Sequence, residues 1–265
     1  MTKEDNKNEK VENVQNKIGQ LYGRIAFYEK ITDSLFYINI IIILSFLFQI
    51  KFKSWFIIIH IVINSAYIII TRLIDLFLKN YVETEHRKTF IKNSLNVNIT
   101  ENTTPDLYYN NNEKESIKKM GLNCFENLFF SNFIANKMIK EEGLKTIGII
   151  LIYVALLSQT SNLAAFILMI SQTFFSIECI FKFIKFYYFK TQANCIYTEV
   201  YNIFITSPPK EENVFIAKIL DIIMNYECLK YFCKISLSSR IFNKYNSILS
   251  KEWDDIYSKK LENVA

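Results

Sequence analysis

The stretch SLFYINIIIILSFLFQIKFKSWFIIIHIVINSAYIIITR, residues 34–72, holds two long apolar tracts separated by little more than KFK. Ser34 to Ile50 carries no charge over 17 residues, and Ser54 to Thr71 none over 18. As helices, each is about 25–27 Å long, close to the thickness of a hydrocarbon core. A helix of a water-soluble domain has one apolar stripe and one charged face, whereas these tracts are apolar all round except for Asn39, Gln49, His60 and Asn64. The stretch therefore predicts a transmembrane hairpin. A secretory signal does not fit, because 33 residues of mixed charge precede the first tract and no small-residue cleavage site separates it from the second.

The pattern recurs. Between Lys145 and Glu178 lie 32 uncharged residues with a turn-like SQTSN in the middle, too long for one span and fitting a second hairpin. Its helices are about 16 residues each, short of the roughly 20 of an untilted span, so Lys145, Lys182 and Lys185 are expected to snorkel outward; a re-entrant hairpin is the alternative. Basic residues near the tract ends set the orientation. Lys17, Arg24, Lys30, Arg72, Lys79, Arg87, Lys88, Lys137, Lys140, Lys145, Lys182, Lys185 and Lys190 lie on one side, and only Lys51 and Lys53 on the other. Both termini and the central segment are thus expected in the cytoplasm of a cell whose inner (plasma) membrane holds the protein.

The sequence predicts an all-α integral membrane protein. It divides into a cytoplasmic N-terminal helix (1–33), hairpin one (34–71), a cytoplasmic central helical segment (72–145), hairpin two (146–181) and a cytoplasmic C-terminal helical segment (182–265). Few Gly and Pro and no convincing strand series support this class. Residues 10–33 place Val14, Ile18, Leu21, Ile25 and Tyr28 on one helical face, residues 93–112 read as a loop, and Glu113 to Lys140 as a helix. FKFIKFYYFK continues out of the bilayer, SPPKEEN stops the chain and restarts it as a helix from about Val214 to Lys234, and SLSSR precedes a last helix marked by Ile241, Leu249 and Trp253.

Hydrophobic residues make up 51% of the chain, yet 22% are charged and almost all of those lie outside the tracts. The net charge of +5 is spread without a dense basic block, which suits an anionic leaflet and gives no surface for a nucleic-acid polymer. Cys124, Cys179, Cys195, Cys228 and Cys233 all fall in or beside the expected cytoplasmic side, so structural disulfides are not expected. GxSxG, HExxH, Walker and GxGxxG patterns are absent from the sequence, and only His60 and His86 are histidines. No enzyme, cofactor or metal is predicted, and His86, within ETEHRK, reads as part of a solvated charged face.

Two groups of residues merit attention. Asn39, His60 and Asn64 are the polar groups of the first hairpin: Asn39 and Asn64 fall at similar depth, where their amides can bond directly, and His60 shares a face with Asn64. They serve either as interhelical glue or, where hairpins assemble side by side, as the lining of a water-filled path. Tyr108, Tyr109, Glu126, Phe129 and Phe130 form either a docking or ligand surface or a packing surface against the C-terminal helices.

The order of helix, hairpin, central DLYYNNNEKESIKKMGLNCFENLFFSNFIANK, second hairpin and C-terminal NYECLKYFCKISLSSRIFNKYNSILSKEW resembles the four-transmembrane effectors of bacterial nucleotide-second-messenger (CBASS-type) antiphage systems, near the SLATT group. The resemblance implies a homo-oligomer in the lipid bilayer that permeabilises the membrane when a nucleotidyltransferase-linked sensor, or the cyclic oligonucleotide it makes, signals infection. A non-enzymatic membrane adaptor or immunity protein is the second class, and a transporter subunit or enzyme the third. The topology is checked by cysteine labelling: Ser54→Cys and Ser161→Cys in a background lacking the native cysteines should react with an impermeant maleimide on intact cells, and labelling only after lysis contradicts the orientation.

Overall fold

The computed structural model describes residues 16–47, 55–104, 108–158 and 163–258. Every regular element among the described residues is a helix. Helix α1 runs from Lys17 to Leu47, α2 from Trp55 to Leu73, α3 from Asn80 to Leu95, α4 from Ile117 to Leu157, α5 from Leu163 to Tyr201, α6 from Glu212 to Cys233 and α7 from Ser239 to Ile256. Wider π-helical turns occupy Ile74–Lys79, between α2 and α3, and Asn202–Thr206, after α5.

Three described helical runs are long and apolar enough to cross a membrane: Lys17–Leu47, Trp55–Leu95 and Phe166–Thr206. This makes the chain a multi-pass membrane protein. The fourth expected span lies in α4, which contributes residues 146–157 of the tract before the described residues break off within SQTSN. Both hairpin tips, with Phe52, Ser54, Thr160 and Ser161, lie outside the described residues, as do Val14 and Pro105.

The chain forms two compact units. Of the described residues, those at 16–22, 80–138 and 187–258 make up the first, and those at 23–79 and 139–186 the second. In the first unit the core is aromatic. Phe125, fully buried, meets Trp253 at 5.1 Å, Tyr197 at 5.7 Å, Phe204 at 6.0 Å and Tyr201 at 6.2 Å between ring centroids. One turn before Phe125, Gly121 lets α4 approach closely, since a Cβ there would meet the Phe204 ring at 2.9 Å and Ile219 at 3.0 Å. Helix α6 starts at Glu212, two residues before the Val214 expected from the sequence, and it ends on Lys234 in the left-handed conformation, whose N–H donates to the Lys230 carbonyl. Ser238 caps α7 by accepting from the Ile241 N–H.

The second unit is a bundle of four helical segments, antiparallel in sequence order, and it is built in layers. Phe36, Tyr67 and Phe175 form an aromatic layer, with centroids 5.6 Å apart for Phe36–Phe175 and 5.2 Å for Tyr67–Phe175; buried Ile149 of α4 joins it. Charged groups pair beyond the tracts, away from the tips. Arg72 donates to Glu178, Lys79 bridges Glu29 and Asp75 at 3.0 Å each, and Lys185 approaches Asp75 at 3.6 Å. Lys185 therefore turns to a partner within the unit instead of snorkelling, Lys145 pairs with Glu142 at 2.9 Å, and Lys182 is exposed.

Because Trp253 is fully buried against Phe125 and Phe129, Trp253→Ala removes a large ring from the centre of the first unit. Thermal or chemical unfolding should show a loss of ~3–5 kcal/mol, whereas Phe232→Ala, at a side chain 67% exposed, should stay close to wild type.

Candidate functional site

Helix α2 presents His60, Asn64, Tyr67 and Thr71 at intervals of four, three and four residues, so they form one stripe. His60 and Asn64 are 0% and 2% exposed, and across the bundle Asn39 and Gln172 are 0% exposed. The aromatic layer fixes their depth. Asn39 lies three residues beyond Phe36 along α1, while Asn64 and Gln172 lie three residues before Tyr67 and Phe175 along helices running the other way. All three amides therefore sit one turn from the aromatic layer on its tip side. Asn64 confirms the register, because its Nδ2 donates to the Ser171 backbone oxygen and to the Ser171 hydroxyl at 2.9 Å. On α4, Tyr153 meets Thr173 at the same level through a 3.1 Å hydrogen bond between hydroxyls.

The direct Asn39–Asn64 bond that the shared depth allows is not made; Asn64 turns to Ser171 on the second hairpin. Both polar atoms of Asn39, both ring nitrogens of His60, both polar atoms of Gln172, and Asn64 Oδ1 have no hydrogen-bond partner among the described residues. The same is true of Ser176 Oγ and Thr71 Oγ1, on the other side of the aromatic layer. The result is a column of neutral polar groups from His60 to Thr71, about 16 Å along the helix axis. It ends beside the Arg72–Glu178 pair, and α2 and α5 supply most of it. An unsatisfied amide in a medium that cannot hydrogen-bond costs roughly 2–7 kcal/mol, so these atoms together are a large cost to a dry bundle. The groups lie inside one chain's four-segment bundle, not on a face that needs a neighbouring copy to cover it.

Gln172, Ser171 and Ser176 join the polar groups that the first hairpin's sequence points to. Their signal was the i,i+4 spacing of Gln172 and Ser176 in LMISQTFFSI, which puts both on one helical face.

The other residue group belongs to the first unit. Phe129 packs on Trp253 and Tyr197, and Phe130 on Phe242. Tyr109 lies edge-on to Phe90 and accepts from Asn127 Nδ2 through its hydroxyl at 3.1 Å, and Tyr108, 42% exposed, stands edge-on to Tyr109. Glu126 is 5% exposed and accepts from the Asn110 backbone and side-chain nitrogens, each at 3.1 Å. Burial pushes its carboxyl up to about 7, against the opposing effect of those two bonds. Nearby, Lys230 bridges Glu227 at 2.8 Å and Glu83 at 3.6 Å. Burial works against its charge, but the two carboxylates outweigh burial and hold it above the usual lysine range. His86, expected on a solvated face, instead meets the Lys230 ammonium through Nδ1 at 3.4 Å and the Tyr22 ring edge-on at 5.9 Å. The ammonium can only donate, so Nδ1 is the accepting nitrogen.

No protein-family model matches this chain, and no curated protein or solved structure matches it.

Glu126 gives the first unit a pH dependence of definite sign. The folded chain holds the Glu126 proton up to about pH 7, while the unfolded chain releases it near 4.5, so stability falls as pH rises between those values and the penalty is complete above them. Glu126→Gln keeps an acceptor for Asn110 and removes the titration. Its unfolding midpoint should therefore gain on wild type between pH 5 and pH 8; parallel pH profiles for the two proteins contradict the assignment.

Proposed function

We propose that this chain is a non-enzymatic membrane effector whose polar column forms part of a path for small ions across the inner membrane. In this reading all four segments of the second unit span the bilayer, both termini are cytoplasmic, and the first unit receives the signal that opens the path. One observation carries it: the amides of Asn39 and Gln172 and the imidazole of His60 are fully buried in an apolar bundle with no hydrogen-bond partner among the described residues. Polar residues inside a membrane segment are costly; water supplies the hydrogen bonds that the described residues do not, and the amide oxygens can coordinate a permeating cation. A neutral lining, with no ring of fixed charge, discriminates weakly among small ions.

The antiphage role, and activation by a cyclic oligonucleotide or a nucleotidyltransferase-linked sensor, come from the resemblance to SLATT-like effectors. Homo-oligomerisation belongs to the same reading, with assembly bringing several columns together. A membrane adaptor is favoured by a different observation: Met224 and Phe232 of α6 are 62% and 67% exposed, and large apolar side chains of this kind suit protein contacts.

Planar-bilayer recording separates the two readings. Wild-type protein, alone or with a panel of cyclic oligonucleotides, should conduct K+ and Na+ with little preference. Asn39→Leu and Gln172→Leu, inserted and folded normally, should lower the conductance on the order of tenfold or more, since replacing amides with alkyl groups dries the column. Conductance unchanged in both variants would remove the column from the path, and no conductance from wild type under any condition would favour the adaptor.

A further inference from the structure

Along α5, Ile170, Phe174, Ile177, Phe181 and Ile184 recur every three or four residues and are 42–62% exposed, so they form one uncovered apolar stripe. In a spanning helix such a stripe faces lipid, whose chains are as apolar as these side chains. Tyr188, one turn past Ile184, ends it, since the exposed positions that follow include Thr191, Asn194 and Thr198. That turn carries Tyr188 about 6 Å beyond Ile184, into the headgroup layer that adds roughly 5–8 Å to each side of the hydrocarbon core. A tyrosine, apolar along its ring and polar at its tip, suits that boundary.

Helix α6 comes to the same level without being a span. Phe232 stands edge-on to Tyr188, with ring centroids 6.0 Å apart. Helix α4 gives a second measure of the depth. The Ser238 N–H, just past the end of α6, donates to Met138 Sδ at 3.3 Å. Met138 lies six residues, about 9 Å, before Leu144, where the exposed apolar face of α4 begins. At this level α6 leaves Tyr231 46% and Phe232 67% exposed, and the Lys234 ammonium lies 5.5 Å from the Tyr231 ring centroid. Exposed aromatic rings beside a lysine are the composition of a membrane–water boundary. Helix α6 runs antiparallel to α5, because Phe215 meets Phe204 at 5.6 Å, far along α5 from Tyr188. Met224, eight residues before Phe232, is therefore about 12 Å further from the bilayer.

We propose that the C-terminal end of α6 is a non-spanning membrane contact, with Tyr231 and Phe232 seated in the headgroup layer alongside Tyr188. The occupant of this surface is lipid, because the surface continues the lipid-facing stripe of α5 through the Tyr188–Phe232 contact. Lys234 stands where lipid phosphates accept from an ammonium. Phe232 is thereby assigned to the membrane instead of a protein partner, and Met224 keeps the role that the adaptor reading gives it. The inference rests on the tracts lying in a bilayer, not on ion conduction.

The test is the depth of a nitroxide label measured by electron paramagnetic resonance. Full-length protein, with the exposed Cys195 and Cys228 replaced by serine, is labelled at Phe232→Cys, Met224→Cys or Ile177→Cys. It is then placed in nanodiscs of phosphatidylcholine and phosphatidylglycerol. Oxygen concentrates in lipid and a nickel chelate stays in water, so the ratio of their collision rates reports depth. The ratio should be highest at 177, and at 232 it should exceed the value at 224 several-fold. Because a label is itself apolar, a second comparison places it at Tyr231→Cys with and without Phe232→Glu; the charge should bring the ratio at 231 down toward that at 224. Equal ratios at 232 and 224 overturn the proposal, as does a label at 232 shielded from both reagents, which marks a covering protein. A ratio at 231 unmoved by Phe232→Glu overturns the assignment of Phe232. Each outcome is independent of whether the planar-bilayer recordings show current.

Discussion

The hydrogen bonds from the Asn64 amide to Ser171 tie the first apolar hairpin to the second, and the arrangement of the membrane unit follows from them. In an apolar medium no water competes for the donor, so a polar group must find its partner inside the protein or go without. With Asn64 held opposite Ser171, the next turns fall into place: Tyr67 against Phe175, and the Arg72–Glu178 pair beyond. A slip of one residue on α5 would rotate its side chains by about 100°. Gln172 would leave the interior and Phe175 its place in the aromatic layer.

The register also sorts the side chains by depth. Neutral polar groups lie on the tip side of the aromatic layer, Ser176 and Thr71 lie on its other side, and ion pairs begin only where the uncharged tracts end. Charge is cheap at the boundary and costly within, which accounts for the order of the last two zones. It does not account for the first. Asn39, His60 and Gln172 bring buried polar atoms to the depth where they are least tolerated, and packing alone would be better served by leucine. That is the physical ground for giving them a role in function.

Much of this was legible in the sequence, and what was not has specific causes. Uninterrupted runs of 17 and 18 uncharged residues show two helices of membrane length without reference to their neighbours. The restart near SPPKEEN, where α6 begins at Glu212, and the start of the last helix at Ser239, capped by Ser238, are local chemistry as well. Partner choice is not local. Asn39 and Asn64 share a depth, but the sequence could not show that Ser171, 107 residues away, would take the Asn64 donor. His86 sits among charged neighbours in ETEHRK and was read as solvated, yet its partner Lys230 is 144 residues further on. Periodicity identifies which face of a helix is buried and is silent on what lies across from it.

The central claim is that Asn39, Asn64 and Gln172 occupy one layer inside a single chain, and paired-cysteine crosslinking in the membrane tests it most directly. Starting from a chain without its native cysteines, Asn39→Cys is combined with Gln172→Cys, or with Lys182→Cys ten residues further along α5, and each pair is oxidised in intact membranes. The account predicts an intramolecular crosslink for the first pair and none for the second. A crosslink that forms only between chains, or one that forms for Lys182→Cys and not for Gln172→Cys, would contradict it.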